Sequence, residues 1–359
     1  MRLTPSPFRV RKWHRQSRAL STANRALGCL LVLLALGASA ATRPHYGGTL
    51  RVEIRESIES PDPPQTGPTL AQLPPGFAPA QWDAPSHAIY SADDKGPGGR
   101  PFLDAIEIQM ARPLAGQSID LDLGKADLVE MDANEPRRNA PARSRVWSSS
   151  PVRLLALVFG ARIEDPRVRE ALALAVDRTA IHNVLLQRQG EISGALLPQW
   201  LSGYAFLFPA VQDAGRARSL LAGVPPAART LSLAVPDPAY RRIADRIALN
   251  ARDAGLLLSA APLSSIADLR LIEVRIESSD PARALAALAA ALALPEPPKA
   301  ESPEALYAAE RALLEGFRVV PLFHLPDVYG VNPRVKGAPG ITPLGEWRFE
   351  NLWLEPPRP

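Results

Sequence analysis

The sequence predicts an α/β protein of two domains, and three features of its second half support this. A continuous apolar run at residues 154–159 is typical of a strand that is buried on both faces. Residues 231–235, 238–254 and 256–260 read as strand, helix and strand with short links, which indicates a right-handed crossover between parallel strands. Four Asp-Pro or Ser-Pro pairs open helices, because the first residue caps free amides and proline fits the first helical position. These pairs begin at Asp165, Asp237, Asp280 and Ser302.

The first 40 residues have the pattern of a cleavable secretory signal. They hold seven basic and no acidic residues, then an apolar run at 29–36, then Ala38 and Ala40 before a cut after Ala40. The apolar run is shorter than the about 20 residues that span a bilayer, which disfavours the alternative of an uncleaved anchor. We therefore expect a soluble chain exported to the periplasm.

Removal of this segment changes the charge balance. The whole chain has 41 basic and 37 acidic residues, so the remainder after residue 40 has 34 basic and 37 acidic residues and a net charge of −3. A nucleic-acid partner is therefore unsupported. Cys29, the single cysteine, lies in the signal, so no disulfide, thiol nucleophile or cysteine metal site is expected in the exported chain.

The elements of the first half follow in order. Residues 48–54 alternate apolar and polar side chains, which predicts a half-buried strand, and residues 102–110 alternate again. Between them, ten prolines fall from Pro61 to Pro101, and we interpret 59–99 as an irregular connection. After residue 110 we expect a short helix and a turn that ends at 124–129.

The second half contains the better-formed elements. A helix is expected from Pro166, and Asp177–Arg178 within it is interpreted as a charge pair at the sheet rim. Its apolar stripe consists of Val168, Leu172, Val176, Ile181 and Leu185. A strand at 269–276 and a helix at 282–294 follow. Gly255 and Gly316 are expected to cap helices.

Recognised catalytic motifs are absent from the sequence, which favours a binding protein over an enzyme. There is no phosphate loop, no dinucleotide fingerprint and no serine elbow, and no pair of histidines has metal-ligand spacing. We therefore expect no cofactor, no metal and no catalytic residues. His324 in an apolar strand is interpreted as a core or hinge residue ahead of a ligand contact. Trp200 is a candidate because aromatic side chains can line a ligand cleft.

Several segments, in order, resemble the family-5 extracellular solute-binding proteins, the peptide, dipeptide and nickel receptors of ABC importers. The most specific is the helix at 165–178, DPRVREALALAVDR. The other matching segments are YGGTLRV at 46–52, GRPFLDAIEI at 99–108, GKADL at 124–128, and, near the end, PLFH at 321–324, NPRVKG at 332–337, PLG at 343–345 and FENL at 349–352.

This resemblance implies the two-lobed type II periplasmic-binding-protein architecture with a reduced first lobe. Lobe I would comprise 41–58, 100–151 and 326–359, and lobe II would comprise 152–325. The 59–99 connection stands where family members carry an accessory domain. Hinge strands would lie near 152–159 and 319–325.

The resemblance also suggests ligand contacts. The peptide-binding relatives have an aromatic and carboxylate segment that ends in Asp-Pro, and residues 271–281 here end in Asp280–Pro281. Asp280 would then meet the amino terminus of a ligand. The family's tryptophan is missing, and Glu273 and Arg275 nearby could offer charges to a different ligand.

The resemblance implies a periplasmic substrate-binding protein that closes on a small, peptide-like solute and presents it to an ABC permease. We expect it to be a monomer. One alternative is a degenerate homologue that acts as an envelope scaffold or sensor without transport, and a weaker one is an exported hydrolase.

Overall fold

Two long antiparallel strands, β6 (Arg145–Phe159) and β11 (Val319–Val331), run through the centre of the fold. The structure, a computed structural model, describes residues 43–57, 75–96, 98–131, 145–204, 207, 210–262 and 266–356. The predicted signal at 1–40 and the first part of the Pro-rich stretch lie outside the described residues.

Strands at both sides extend this central pair into one mixed sheet. The other strands of the sheet are β1 (Thr49–Glu53), β2 (Phe77–Asp83), β3 (His87–Ala92), β4 (Ala105–Gln109), β5 (Leu128–Glu130), β7 (Glu191–Ile192), β8 (Thr230–Ala234), β9 (Leu257–Ala260) and β10 (Leu269–Arg275). Their order is β2-β3-β4-β1-β5-β11-β6-β10-β8-β9, and β7 pairs with β11. A separate short pair is formed by β12 (Val335–Lys336) and β13 (Trp353–Leu354).

The α-helices of the described residues are α1 (Leu114–Asp122), α2 (Pro166–Ala175), α3 (Arg178–Ala180), α4 (Gln199–Ser202), α5 (Ala214–Leu221), α6 (Arg241–Asp253), α7 (Pro281–Ala291) and α8 (Pro303–Leu314). A π-helical turn spans Ile181–Leu185, and 3₁₀ turns span Pro226–Arg229 and Pro238–Tyr240. None of the helices in the described part of the chain is long and apolar enough to cross a bilayer.

Lobe I is built around β1, which is parallel to both β4 and β5. Its alternating apolar residues enter a core shared with the C-terminal residues Trp347 and Phe349. Asp127 at the start of β5 is fully buried between Arg51, at 3.0 Å, and Arg334, at 2.5 Å. These two ion pairs connect the C-terminal segment to the first strand.

Lobe II is a sheet covered by helices on both faces. One face of β6 packs against α2, α5 and α6, and the other face packs against α7 and α8. Because side chains alternate along a strand, Leu155 and Leu157 belong to the first layer and Leu154 and Ala156 to the second. The predicted crossover is confirmed, since β8 and β9 are parallel with α6 between them. The prediction of an α/β fold with two lobes is thus confirmed.

The interpretation of 59–99 as irregular is wrong for its second half. β2 and β3 form an antiparallel hairpin that joins the sheet through β4. Ala88 and Tyr90 alternate into the lobe I core, a pattern too short to stand out among the prolines. β2 is the outermost strand and has a register irregularity after Pro79, a position where a missing N–H is tolerated.

The helix predicted from Pro166 through Leu185 is interrupted, so the predicted stripe does not belong to one helix. Val176 has an extended backbone with ψ of 117°, and Asp177 caps a new helix by accepting from the Ala180 amide at 2.8 Å. The interpretation of Asp177–Arg178 as a charge pair is also wrong, because Arg178 is buried and donates to backbone carbonyls.

The two predicted glycine caps differ. Gly255 follows α6 with φ of +94°, as expected of a left-handed cap. After α8, the left-handed residue is Phe317, with φ of +52°, and not Gly316.

Candidate functional site

The pairing of β6 with β11 is disturbed where the chain passes from one lobe to the other. Pro326 lies opposite Pro151, and the register shifts on both sides of Pro326. Neither proline has an N–H, so this position has no ladder hydrogen bond between the strands. The two crossing strands are therefore least constrained at the junction of the lobes.

Asp327 follows this break and lies between two arginines. It is 2% exposed, and its carboxylate is 2.5 Å from Arg153 Nε and 2.7 Å from Arg275 Nη2. Burial opposes ionisation, but the two guanidinium groups outweigh it and lower the pKa of Asp327. Gly345 leaves room for this triad, because a Cβ there would be 2.3 Å from the Asp327 carboxylate.

The network continues into lobe II through Glu273. Its carboxylate is 3.2 Å from Arg153 Nη1 and accepts a hydrogen bond from the Tyr240 hydroxyl. Burial, and then the adjacent Glu273 charge, raise the pKa of Tyr240, so the phenol stays a donor. Strand β10 thus presents Glu273 and Arg275 on one face towards β6 and β11.

Lobe I contributes Arg55 and Glu130, which lie just beyond β1 and at the end of β5. Glu130 accepts from the Arg55 amide at 2.6 Å, and burial raises the pKa of Glu130. The Arg55 guanidinium reaches across to lobe II and lies 3.1 Å from Asp237 Oδ2. Asp237 also caps the turn that holds Tyr240, accepting from the Ala239 amide at 2.9 Å.

Several of these side chains, but not Asp237 or Arg275, line a cavity of about 40 Å³ between the lobes. Arg55 and Glu130 line it from lobe I, Tyr240 and Glu273 from lobe II, and Asp327 from the crossing strand. That volume holds about three or four waters by the measure of about 10–15 Å³ for each. In this structure, therefore, the charged side chains around the cavity are paired with one another.

The sequence profile described as bacterial extracellular solute-binding proteins, family 5, middle, matches residues 54–300. The chain belongs to this family of bacterial extracellular solute-binding proteins. No curated protein sequence matches it significantly.

Solved structures share the fold of this family-5 protein. CtaP, an ABC transporter substrate-binding protein from Listeria monocytogenes, aligns with a TM-score of 0.64 at 14% identity over 78% of this chain and 66% of that chain. A dipeptide-binding protein from Pseudoalteromonas sp. SM9913, in complex with Met-Leu, aligns with a TM-score of 0.63 at 13% identity, over 78% of this chain and 64% of that chain. NikA from Staphylococcus aureus, in complex with Ni(L-His)₂, aligns with a TM-score of 0.60 at 15% identity, over 78% of this chain and 68% of that chain. The chain thus spans about two thirds of the length of these type II periplasmic binding proteins.

Two of the five candidate ligand residues, Glu273 and Arg275, belong to the junction network, and Glu273 lines its cavity. Asp280 does not line it. Asp280 caps α7, accepting from the Arg283 amide at 2.9 Å, and its side chain is exposed.

Trp200 and His324 lie outside the junction network. The Trp200 indole donates to the Pro151 carbonyl at 2.8 Å. His324 is fully buried opposite Leu154, and Leu154 belongs to the other face of the sheet from Arg153. Its Nε2 is 2.8 Å from the Leu196 carbonyl, as expected of a core residue.

Sequence reasoning missed most of the junction residues. Arg55, Arg153, Asp327 and the turn with Asp237 and Tyr240 come from four separate segments, and only Asp237 was singled out, as a helix cap. The available signal was a charge inside an apolar strand, as Arg153 is in PVRLLALVF and Asp327 is in FHLPDVYGV. Among the described residues, no group of three His, Cys, Asp or Glu could hold a metal.

Proposed function

We propose that this family-5 protein binds a small zwitterionic solute, peptide-like in its charges, between its two lobes. The observation that carries the proposal is the pair formed by Arg55 from lobe I and Asp237 from lobe II at 3.1 Å. When the lobes separate, this pair becomes one cation and one anion on opposite walls of the cleft. A solute with a carboxylate and an ammonium group matches both.

Opening is required because the 40 Å³ cavity admits only water-sized molecules. The break at Pro151 and Pro326 provides a place for the crossing strands to bend. A solute that bridges Arg55 and Asp237 makes both contacts only in a closed form, so its binding favours closure. The solved relatives with bound Met-Leu and with a bound nonapeptide support this class of solute.

We further propose that the chain works outside the cytoplasmic membrane as the receptor of an ABC importer. Residues 1–40 would be the cleaved export signal, and the closed, loaded protein would present its solute to a permease. The family consists of extracellular solute-binding proteins, and the solved relatives include ABC transporter substrate-binding proteins, which supports this role.

A thermal-shift screen of the exported chain tests the proposal. Dipeptides, tripeptides, sugars and metal salts are added one at a time at high concentration. A solute at 100 times its Kd stabilises the fold by about 2.7 kcal/mol, which raises the melting temperature by roughly 5 °C. We expect that rise from short peptides and not from sugars.

The negative outcome is equally informative. A cooperative melting transition that no solute shifts would contradict binding, and would favour the envelope scaffold or sensor. A shift by sugars alone would contradict the charge argument.

A further inference from the structure

A second cavity, of about 250 Å³, lies in lobe II and shares no lining residue with the junction cavity. It opens beside α2 and the start of β11. Its wall is mainly hydrocarbon, from Ala173, Leu174, Phe317, Val319, Val320 and Pro321, and it also includes Gly194 and the charged residues Glu170, Arg178 and Arg216. An engineered apolar cavity of about 150 Å³ already binds benzene, so this one has room for a larger apolar group.

Arg178 contributes to this wall a cation that, unlike Arg216 with its partner Glu170, has no paired carboxylate among the described residues. It is 3% exposed, and no carboxylate of the described residues lies within 4.0 Å of it. Its guanidinium donates to the Pro321 carbonyl from Nε at 3.3 Å and Nη2 at 3.0 Å, and to the Ala173 carbonyl from Nη1 at 3.1 Å. A guanidinium has five N–H groups, so these bonds leave two N–H groups and the whole charge uncompensated.

A buried cation without a counter-ion is costly, which makes Arg178 a point of attraction for an anion. Burial lowers the pKa of Arg178 to about 10, so the group is still charged at neutral pH. The acid nearest the cavity mouth, Glu170, is engaged with Arg216 at 2.6 Å. The cavity therefore has a net positive character.

We infer that this cavity binds a small apolar carboxylate, with the carboxylate on the free N–H groups of Arg178 and the hydrocarbon against Leu174, Val320 and Pro321. By the benzene comparison, roughly six to eight carbon atoms fit. A zwitterion fits poorly, because the Glu170 carboxylate of the wall is already paired with Arg216 and leaves no unpaired anion of the lining for an ammonium group. The inference therefore stands apart from the peptide-like solute proposed for the junction.

Calorimetric titration of the full exported chain with sodium hexanoate tests this inference. Hexan-1-ol and hexylammonium have the same chain without the negative charge. We expect hexanoate to bind at least tenfold more tightly than either. Equal binding of hexanoate and hexan-1-ol, or no binding of hexanoate, would overturn the inference.

Two variants locate the site. Arg178→Met removes the charge, and Ala173→Phe fills the cavity while keeping Arg178, so one remains informative if the other does not fold. Each variant is expected to lower the affinity for hexanoate at least tenfold. Arg246→Met, at an exposed arginine of α6 outside both cavities, is the matched control and should bind as the parent does. Unchanged hexanoate affinity in a folded Arg178→Met or Ala173→Phe protein would place binding elsewhere and refute the assignment.

Discussion

Arg153 and Arg178 show two ways of placing an arginine beside the same sheet. Arg153 lies between the carboxylates of Asp327 and Glu273, and their charges overcome burial and raise its pKa. Within the described part of the chain, Arg178 donates hydrogen bonds only to carbonyl oxygens, and burial lowers its pKa to about 10. The first cation is balanced within the chain, whereas the second keeps an unused charge. The comparison teaches that charge balance, more than burial, separates a structural arginine from one available to an anion.

Asp327→Asn tests the charge-balanced network around Arg153 and should have the largest effect on the free energy of unfolding. It leaves Arg153 and Arg275 without their shared buried carboxylate, and we expect the free energy of unfolding to fall by about 3–5 kcal/mol. Urea denaturation measures this. Asp94→Asn is the control, since its pair with Arg100 at 3.4 Å is exposed and should be worth less than about 1 kcal/mol. A loss below 1 kcal/mol for Asp327→Asn would show that the triad is not a balanced unit.

His324 extends the comparison to a buried side chain that stays neutral at neutral pH. Full burial lowers its pKa to about 4, so the folded chain binds the proton less tightly than the unfolded chain, whose pKa is about 6.5. The free energy of unfolding should therefore fall as the pH decreases from about 6.5 to about 4, by about 3 kcal/mol. His324→Gln, which keeps a donor for the Leu196 carbonyl, should remove that part of the pH dependence. Identical pH profiles of the parent and the variant would refute this account.

Arg178→Met tests the buried arginine that has no paired carboxylate among the described residues. The variant loses hydrogen bonds to Pro321 and Ala173 but leaves no charge unpaired, so we expect a loss of about 1–2 kcal/mol. Urea denaturation beside Asp327→Asn makes the comparison direct. A loss as large as that of Asp327→Asn would mean that Arg178 has a charge partner, and the contrast between the two arginines would fail.

Asp280→Ala gives the smallest expected effect. Asp280 caps α7 from an exposed position, and loss of such a cap costs about 1 kcal/mol. Peptide affinity should not change, because the exposed Asp280 carboxylate accepts from the Arg283 amide and, unlike Asp237, makes no contact with Arg55 of the junction network. A large loss of affinity without loss of stability would restore Asp280 as the ligand contact that the family resemblance suggested.

The elements that the sequence predicted well are those set by local rules. The caps at Asp165 and Asp280 accept from amides two and three residues on, and the strand–helix–strand unit of lobe II has its expected parallel pairing. Local rules failed where tertiary packing decided the outcome. The break at Val176 and the hairpin that contains Tyr90 depend on neighbours that are distant in sequence.

The junction site was less predictable for a related reason. Arg55 and Asp237 are 182 residues apart, and nothing in either local pattern indicates the other. Glu273 and Arg275 could be found because the family resemblance pointed to their segment. Arg153 and Asp327 carried a usable signal, since a charge in an apolar strand needs a partner.

Calorimetric titration of the protein with dialanine, N-acetyl-dialanine and dialanine amide tests the central claim most directly. The account predicts that dialanine binds, and that blocking either charged end weakens it at least tenfold. In the Arg55→Met variant, amidation of the carboxyl end should cost less affinity than in the parent protein. In the Asp237→Asn variant, acetylation of the amino end should cost less affinity than in the parent protein. Equal affinity for the blocked and free peptides, or no binding of dialanine by a folded protein, would contradict a cleft built on Arg55 and Asp237.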